Sequence, residues 1–177
     1  TAYRLFNGEG DGIGGVIIDR YADYAVFSWY NETLYQKKAE LLTAFRTVYP
    51  DIIGAYEKIR FSTKDLPESQ FLYGEQAPEP LLVTENGVQF ATYLNEGLMT
   101  GIFLDQKEVR KKLRDQFSER RHVLNLLSYT GAFSVIAAEN ANSTTSVDLA
   151  NRSRGLTEEN FGLNGINPKS QYIYVMD

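Results

Sequence analysis

Apolar and polar positions alternate with two different rhythms along this chain. Up to about residue 94 the apolar stretches are short and β-prone. Residues 14–19 (GGVIID) and 24–30 (YAVFSWY) read as strands joined by a tight polar turn from Arg20 to Asp23. Residues 34–48 place apolar side chains at Leu34, Leu41, Leu42, Phe45 and Val48, the spacing of an amphipathic helix, and Pro50 stops it. Residues 52–59 (IIGAYEKI) form a further strand candidate, and residues 74–80, with two prolines, read as a loop. Residues 81–94 then alternate on either side of Asn86-Gly87, the short-range signal of a hairpin. The first half therefore predicts mixed, largely antiparallel structure.

After Gly97 the rhythm changes. Asp105 is placed to cap a helix whose apolar positions Val109, Leu113 and Phe117 recur every four residues. Residues 122–127 (HVLNLL) read as a buried strand of the parallel kind. A loop with one glycine and a helix over 132–141 follow, then a strand (144–149), a helix (151–164) and a strand ending in QYIYVMD. That order, β-α-β-α-β, predicts one half of a doubly wound sheet with right-handed crossovers. The fold class is α/β, with a small EEHEE-like α/β domain over 1–94 and a Rossmann-like half-domain over 95–177. A chain that opens on Thr1 and stops directly after a strand-like run reads as cut at both ends.

Composition narrows the chemistry. The content is 43% hydrophobic, with 12 Tyr and 10 Phe, enough for a real core, and no apolar run approaches the ~20 residues of a membrane span. The absence of cysteine and the single histidine, His122, exclude disulfides, Cys-based zinc sites and His-based catalytic pairs within this span, so no metal is expected. His122 begins a strand and reads as a boundary residue, and Trp29 as core. A reducing cytoplasm is the default setting. The net charge of −5 offers no general basic face to nucleic acid. Residues 105–121 are a local exception, with seven basic residues against four acids, which reads as a solvated helix face.

Two glycine-bearing loops compete for a ligand. Gly10 to Gly15 matches GxGxxG letter for letter, but the mechanism of that motif needs a helix directly after the loop. Here VIID, a strand, follows, so the glycines read as a turn with unusual dihedrals. The second loop, 125–133 (NLLSYTGAF), leads from a buried strand through Gly131 into a helix, at the sheet edge where open α/β folds bind ligands. One glycine is few for a pyrophosphate and enough for the methionyl part of S-adenosylmethionine, whose carboxylate could meet amides at the helix start. Asp148, 17 residues after Gly131, stands at the end of the next strand, where an acid accepts the hydroxyls of an adenosine ribose. NAD enzymes use the same position, so an NAD-dependent oxidoreductase stays open. Asp177 ends the third strand on the same edge, near where an adenine amino group would lie. The simpler alternative for each acid is a helix cap.

Five stretches resemble the ribosomal RNA large-subunit methyltransferase family that modifies cytosine at its 5-position in bacterial 23S RNA. They are residues 8–21 (GEGDGIGGVIIDRY), 100–110 (TGIFLDQKEVR), 123–137 (VLNLLSYTGAFSVIA), 146–153 (SVDLANRS) and 159–166 (ENFGLNGI). The resemblance implies a class I methyltransferase domain preceded by a small α/β domain, an RNA-binding domain upstream, S-adenosyl-L-methionine as cofactor and ribosomal RNA as partner. It also implies that Ser128, Tyr129 and Gly131 line the methionyl part, Asp148 binds the ribose and Asp177 the adenine. Phe103 and Gln106 would close the pocket, and Asn160 would support the second helix. The family's Asp-Pro-Pro motif and its attacking cysteine have no match here, so the catalytic residues are unassigned. Methylation of another RNA or a small molecule, a binding module without catalysis, and a homodimer are the remaining open options.

Overall fold

The computed structural model describes residues 1–176 and divides the chain into two compact units, 1–81 with 93–100, and 82–92 with 101–177. The boundary expected near residue 95 falls inside the 93–100 segment of the first unit. The hairpin before it, expected with the small domain, belongs to the second unit.

The first unit is a five-stranded sheet in the order β1 (Ala2–Phe6), β2 (Val16–Tyr21), β3 (Tyr24–Trp29), β4 (Gly54–Ile59), β5 (Ser69–Gly74). All neighbours are antiparallel except β3 and β4. A parallel pair needs a crossover, which α1 (Glu32–Tyr35) and α2 (Lys38–Val48) supply. The single helix expected over 34–48 is thus two, broken at Gln36 and Lys37, with Asn31 capping the first through the Leu34 amide. Phe27, Trp29, Phe45, Val16 and Ile18 form the core, with the Phe27 and Phe45 rings edge to face at 4.9 Å. Glu57 is buried in that core and accepts from Trp29 Nε1 at 2.9 Å, Tyr35 Oη, Lys38 Nζ and Gln70 Nε2, so its charge is fully partnered. The glycines at 10–15 form the turn that the sequence suggested, with Gly12 at φ +89° and Gly15 at φ +95°, and lead into β2.

The second unit holds the hairpin β6 (Leu81–Glu85) and β7 (Val88–Thr92), then α3 (Lys107–Lys112), β8 (His122–Leu126), α4 (Ala132–Ala138), β9 (Ser143–Asp148), α5 (Asn151–Leu163) and β10 (Gln171–Val175). Asn86 and Gly87 both have positive φ, as a type I′ hairpin turn requires. The main sheet is parallel in the order β10-β9-β8, the arrangement expected of a doubly wound half.

Two expectations need correction. Asp105 does not cap α3, and a π-helical turn at Leu113–Phe117 ends that segment. Val109 and Phe117, expected on its buried face, are exposed and line an open groove with Leu113 and Phe133. β8 is parallel but only half-buried, and that on alternate residues: Leu124 and Leu126 are each 62% exposed. The register puts them in rows with Thr145 and Tyr172, and with Val147 and Tyr174. The opposite face carries the buried Thr144 and Ser146, with Ser146 Oγ 2.7 Å from Ser134 of α4.

Candidate functional site

The site grows from the turn that follows β8. Leu127 (φ +54°), Tyr129 (φ +52°) and Gly131 (φ +71°) are all left-handed. For Leu and Tyr that conformation is costly, and such strain concentrates at ligand clamps. The turn is held by the Ser128 amide on Val147 O (3.0 Å) and the Gly131 amide on Ser128 O (2.8 Å). Gly131 is required twice over: its φ is positive, and a Cβ there would lie 2.5 Å from Thr157 Cγ2 of α5. Its smallness therefore serves the packing of the loop on α5, where the sequence suggested close approach of a ligand.

Asp148 ends β9 and faces this turn. Its Oδ2 accepts from the Tyr129 amide at 2.8 Å and its Oδ1 from the Ala150 amide at 2.9 Å. Burial pushes the carboxyl up, but those two amides, the Ser153 hydroxyl and the Leu149 amide outweigh it and hold Asp148 below the usual carboxylate range. The group is thus a charged acceptor locked in one orientation. It ties the turn after β8 to the start of α5, whose N-cap is Ala150 and carries no side-chain cap bond, so Asp148 is not that helix's cap.

The segment before α3 brings an aromatic to the same turn. Phe103 is 46% exposed, and its ring meets that of Tyr129 edge to face at 5.6 Å between centroids. Ser128 is buried within the turn. Gln106 turns its amide to its neighbour Asp105, and the structure gives it no bond to the loop. Asn160 is buried behind the loop, where its Nδ2 donates to Thr130 O and its Oδ1 accepts from the Ala91 amide, both at 2.9 Å. Ser128, Tyr129, Gly131, Asp148 and Phe103 therefore come together, Asn160 stands behind them, and Gln106 is tied to Phe103 by its backbone amide, 3.3 Å from Phe103 O, with its side chain on Asp105. Asp177 lies outside the described residues.

Sequence reasoning missed Thr130, Glu85 and Arg110. Thr130 is buried and donates to Gly101 O at 2.6 Å. Arg110 sits in the basic run taken for a solvated face, yet it is 1% exposed and makes two bonds to Glu85, at 2.7 and 2.6 Å. A signal existed: the alternation of Leu81, Val83 and Glu85 puts that carboxylate on the apolar side of β6, where it needs a cation.

Comparison with known proteins gives the family. Residues 53–171 match the model of the S-adenosylmethionine-dependent methyltransferase family. YwbD of Bacillus subtilis, grouped by name with the ribosomal RNA large subunit methyltransferases, is 48% identical over the whole of this chain and 46% of its own length. A Deinococcus radiodurans ribosomal RNA large subunit methyltransferase is 35% identical over 92% of this chain and 41% of its own. The crystal structure of the methyltransferase SMU.776, complexed with SAH, superposes with a TM-score of 0.95 at 52% identity, covering 100% of this chain and 46% of that one. The chain spans about half the length of the relatives it matches. It belongs to the S-adenosylmethionine-dependent methyltransferase family.

Proposed function

We propose that the protein carrying this chain transfers a methyl group from S-adenosylmethionine to large-subunit ribosomal RNA, and that the chain supplies half of the cofactor site. The observation that carries this reading is Asp148: a charged, immobilised carboxylate at the end of a parallel strand, bonded to the amide of Tyr129 in a strained turn. The donor set fits the cofactor. A carboxylate suits two ribose hydroxyls, and the exposed ring of Phe103 beside Tyr129 suits the flat or cationic parts of the ligand. Ser128, Tyr129 and Gly131 would shape the methionyl end, Phe103 and Gln106 would close over it, and Asp177 would meet the adenine amino group.

When bound, S-adenosylmethionine supplies a methyl group already activated by its sulfonium. What remains for these residues is to orient the ligand and exclude water. The names of the relatives support RNA as the substrate. A cytosine of 23S RNA is the finer reading, and a cytoplasmic setting and a homodimer go with it. Under that reading the attacking cysteine lies elsewhere in the protein, since this chain has none.

Calorimetric titration of the complete protein with S-adenosylhomocysteine and with NAD tests the proposal. Binding of the first and not the second is expected, and tight NAD binding with no S-adenosylhomocysteine signal overturns it. Asp148→Asn, which keeps the volume and removes the charge, should weaken S-adenosylhomocysteine about ten- to a hundredfold, or roughly 1.5–3 kcal/mol.

A further inference from the structure

Arg110 and Glu85 make a fork-to-fork ion pair in the interior of the second unit, with Arg110 Nε on one carboxylate oxygen and Nη2 on the other. A buried pair of this kind is not self-evidently a source of stability, because removing two ions from water costs about as much as their attraction returns. Well-packed apolar residues of similar volume often serve a fold equally well. A third bond shows what an apolar pair could not do: Arg110 Nη2 also donates to Phe103 O at 2.8 Å. Phe103 is the exposed aromatic against Tyr129. Two residues earlier, Gly101 O accepts from the Thr130 hydroxyl at 2.6 Å. The backbone leading to Phe103 is therefore gripped at two carbonyls, one by the loop after β8 and one by a guanidinium aimed by β6.

The other strand of the hairpin holds the loop itself. Asn160 of α5 bonds the Ala91 amide of β7 with its oxygen and Thr130 O with its nitrogen. A Cβ at Gly101 would lie 2.7 Å from Ala91 O, so the segment also needs glycine to pass this close to β7. Hairpin, Phe103 segment and cofactor loop thus share one set of buried bonds.

We propose that Arg110, oriented by Glu85, is a positioning residue of the cofactor site: it fixes Phe103 against Tyr129 in the pose that a bound S-adenosyl ligand meets, and the β6–β7 hairpin is the anchor through which it acts. This rests on the cofactor reading above. Only Arg suits the role, because its planar fork can hold both carboxylate oxygens while a remaining N–H reaches the carbonyl, whereas an ammonium cannot do both.

The experiment measures S-adenosylhomocysteine affinity and thermal unfolding on the complete protein for four variants. They are Glu85→Leu/Arg110→Met, Arg110→Lys, Phe103→Ala, and Phe103→Ala combined with Arg110→Lys. The apolar double variant should unfold within a few degrees of the parent yet bind S-adenosylhomocysteine at least tenfold more weakly. Arg110→Lys should weaken binding several-fold, and Phe103→Ala at least as much. The combined variant should bind no more weakly than Phe103→Ala alone, since Arg110 acts through Phe103. A double variant that binds within twofold of the parent overturns the proposal. If that variant does not fold, losses from Arg110→Lys and Phe103→Ala that simply add overturn it instead. A parent protein that binds no S-adenosylhomocysteine sinks the cofactor reading itself, a separate outcome visible before any variant is made.

Discussion

The two larger sheets among the described residues are closed in opposite ways. In the first, every residue of β3 and of β4 is buried, on both faces, and aromatic rings from Phe27, Trp29, Phe45 and Tyr35 interlock around a carboxylate that has all its partners. In the second, the helix-covered face carries small polar side chains, with Asn125, Ser134 and Ser146 bonded in a row and Thr144 bonded to Gln171, while the other face shows Leu124, Leu126, Tyr172 and Tyr174 to solvent. A sheet face that stays exposed removes little apolar surface from water, so it adds little to the stability of the unit that carries it. Stability in this chain should therefore be concentrated in the first unit, and the second should respond to changes in packing much less on its bare face than at its loop.

The largest expected effect is in the first core. Trp29→Ala removes a fully buried ring and the donor to Glu57, and should cost about 3–5 kcal/mol in denaturant unfolding. A loss below about 1 kcal/mol would mean that this core is far more plastic than its packing suggests.

Next comes Lys58, buried in β4, where its ammonium donates to Ser69 Oγ at 2.8 Å and Gly97 O at 2.6 Å. Burial, aided by the nearby Arg60 charge and opposed by Glu96, pushes it down to about 8. Between pH 8 and 10.5 the unfolded chain keeps a proton that the folded one has released, so this group makes stability rise with pH across that window. The full span corresponds to about 3 kcal/mol. Tyr24 and Tyr73, raised by burial, act in the opposite sense at the alkaline end, so the difference between parent and Lys58→Met isolates the lysine. Equal pH slopes in the two proteins would contradict this account.

In the second unit, Gly131→Ala should cost about 1–2 kcal/mol from its left-handed φ alone, with more from the clash against Thr157, and circular dichroism melts will register it. Leu124→Thr with Leu126→Thr is at the bottom of the scale. On this 177-residue chain, stability should move by less than about 0.5 kcal/mol, while binding of an apolar dye should fall.

The contrast also explains what the sequence disclosed. β8, α4, β9, α5 and β10 were legible because apolar runs and single-glycine turns mark them locally. β1 and β5 were not: Ala2–Phe6 and Ser69–Gly74 carry neither a clean alternation nor full burial, and they become strands only because β2 and β4 offer edges to pair with. Asp148 was found because strand ends are predictable from hydrophobic runs. Arg110 was missed because its partner is 25 positions away, and a local charge count cannot tell a paired cation from a solvated one. The alternation of β8 was hidden for a related reason: four apolar letters in six look buried on both faces, whatever the fold then covers.

One detail of the hairpin reaches further. The amides of Gln89 and Ala91 are bonded to the side-chain oxygens of Asn164, the residue that caps the end of α5, and of Asn160 within it, 75 and 69 positions away, and Asn164 also donates to Gln89 O. A helix thus serves as the neighbouring strand, presenting carboxamides where backbone peptides would stand. This blunts an edge that would otherwise invite pairing with other chains. It also makes two protons in the hairpin into reporters on a helix distant in sequence. Their exchange with deuterated water should follow the opening of α5, so slow exchange at Gln89 and Ala91 measures how firmly the wall behind the loop at Thr130 is held.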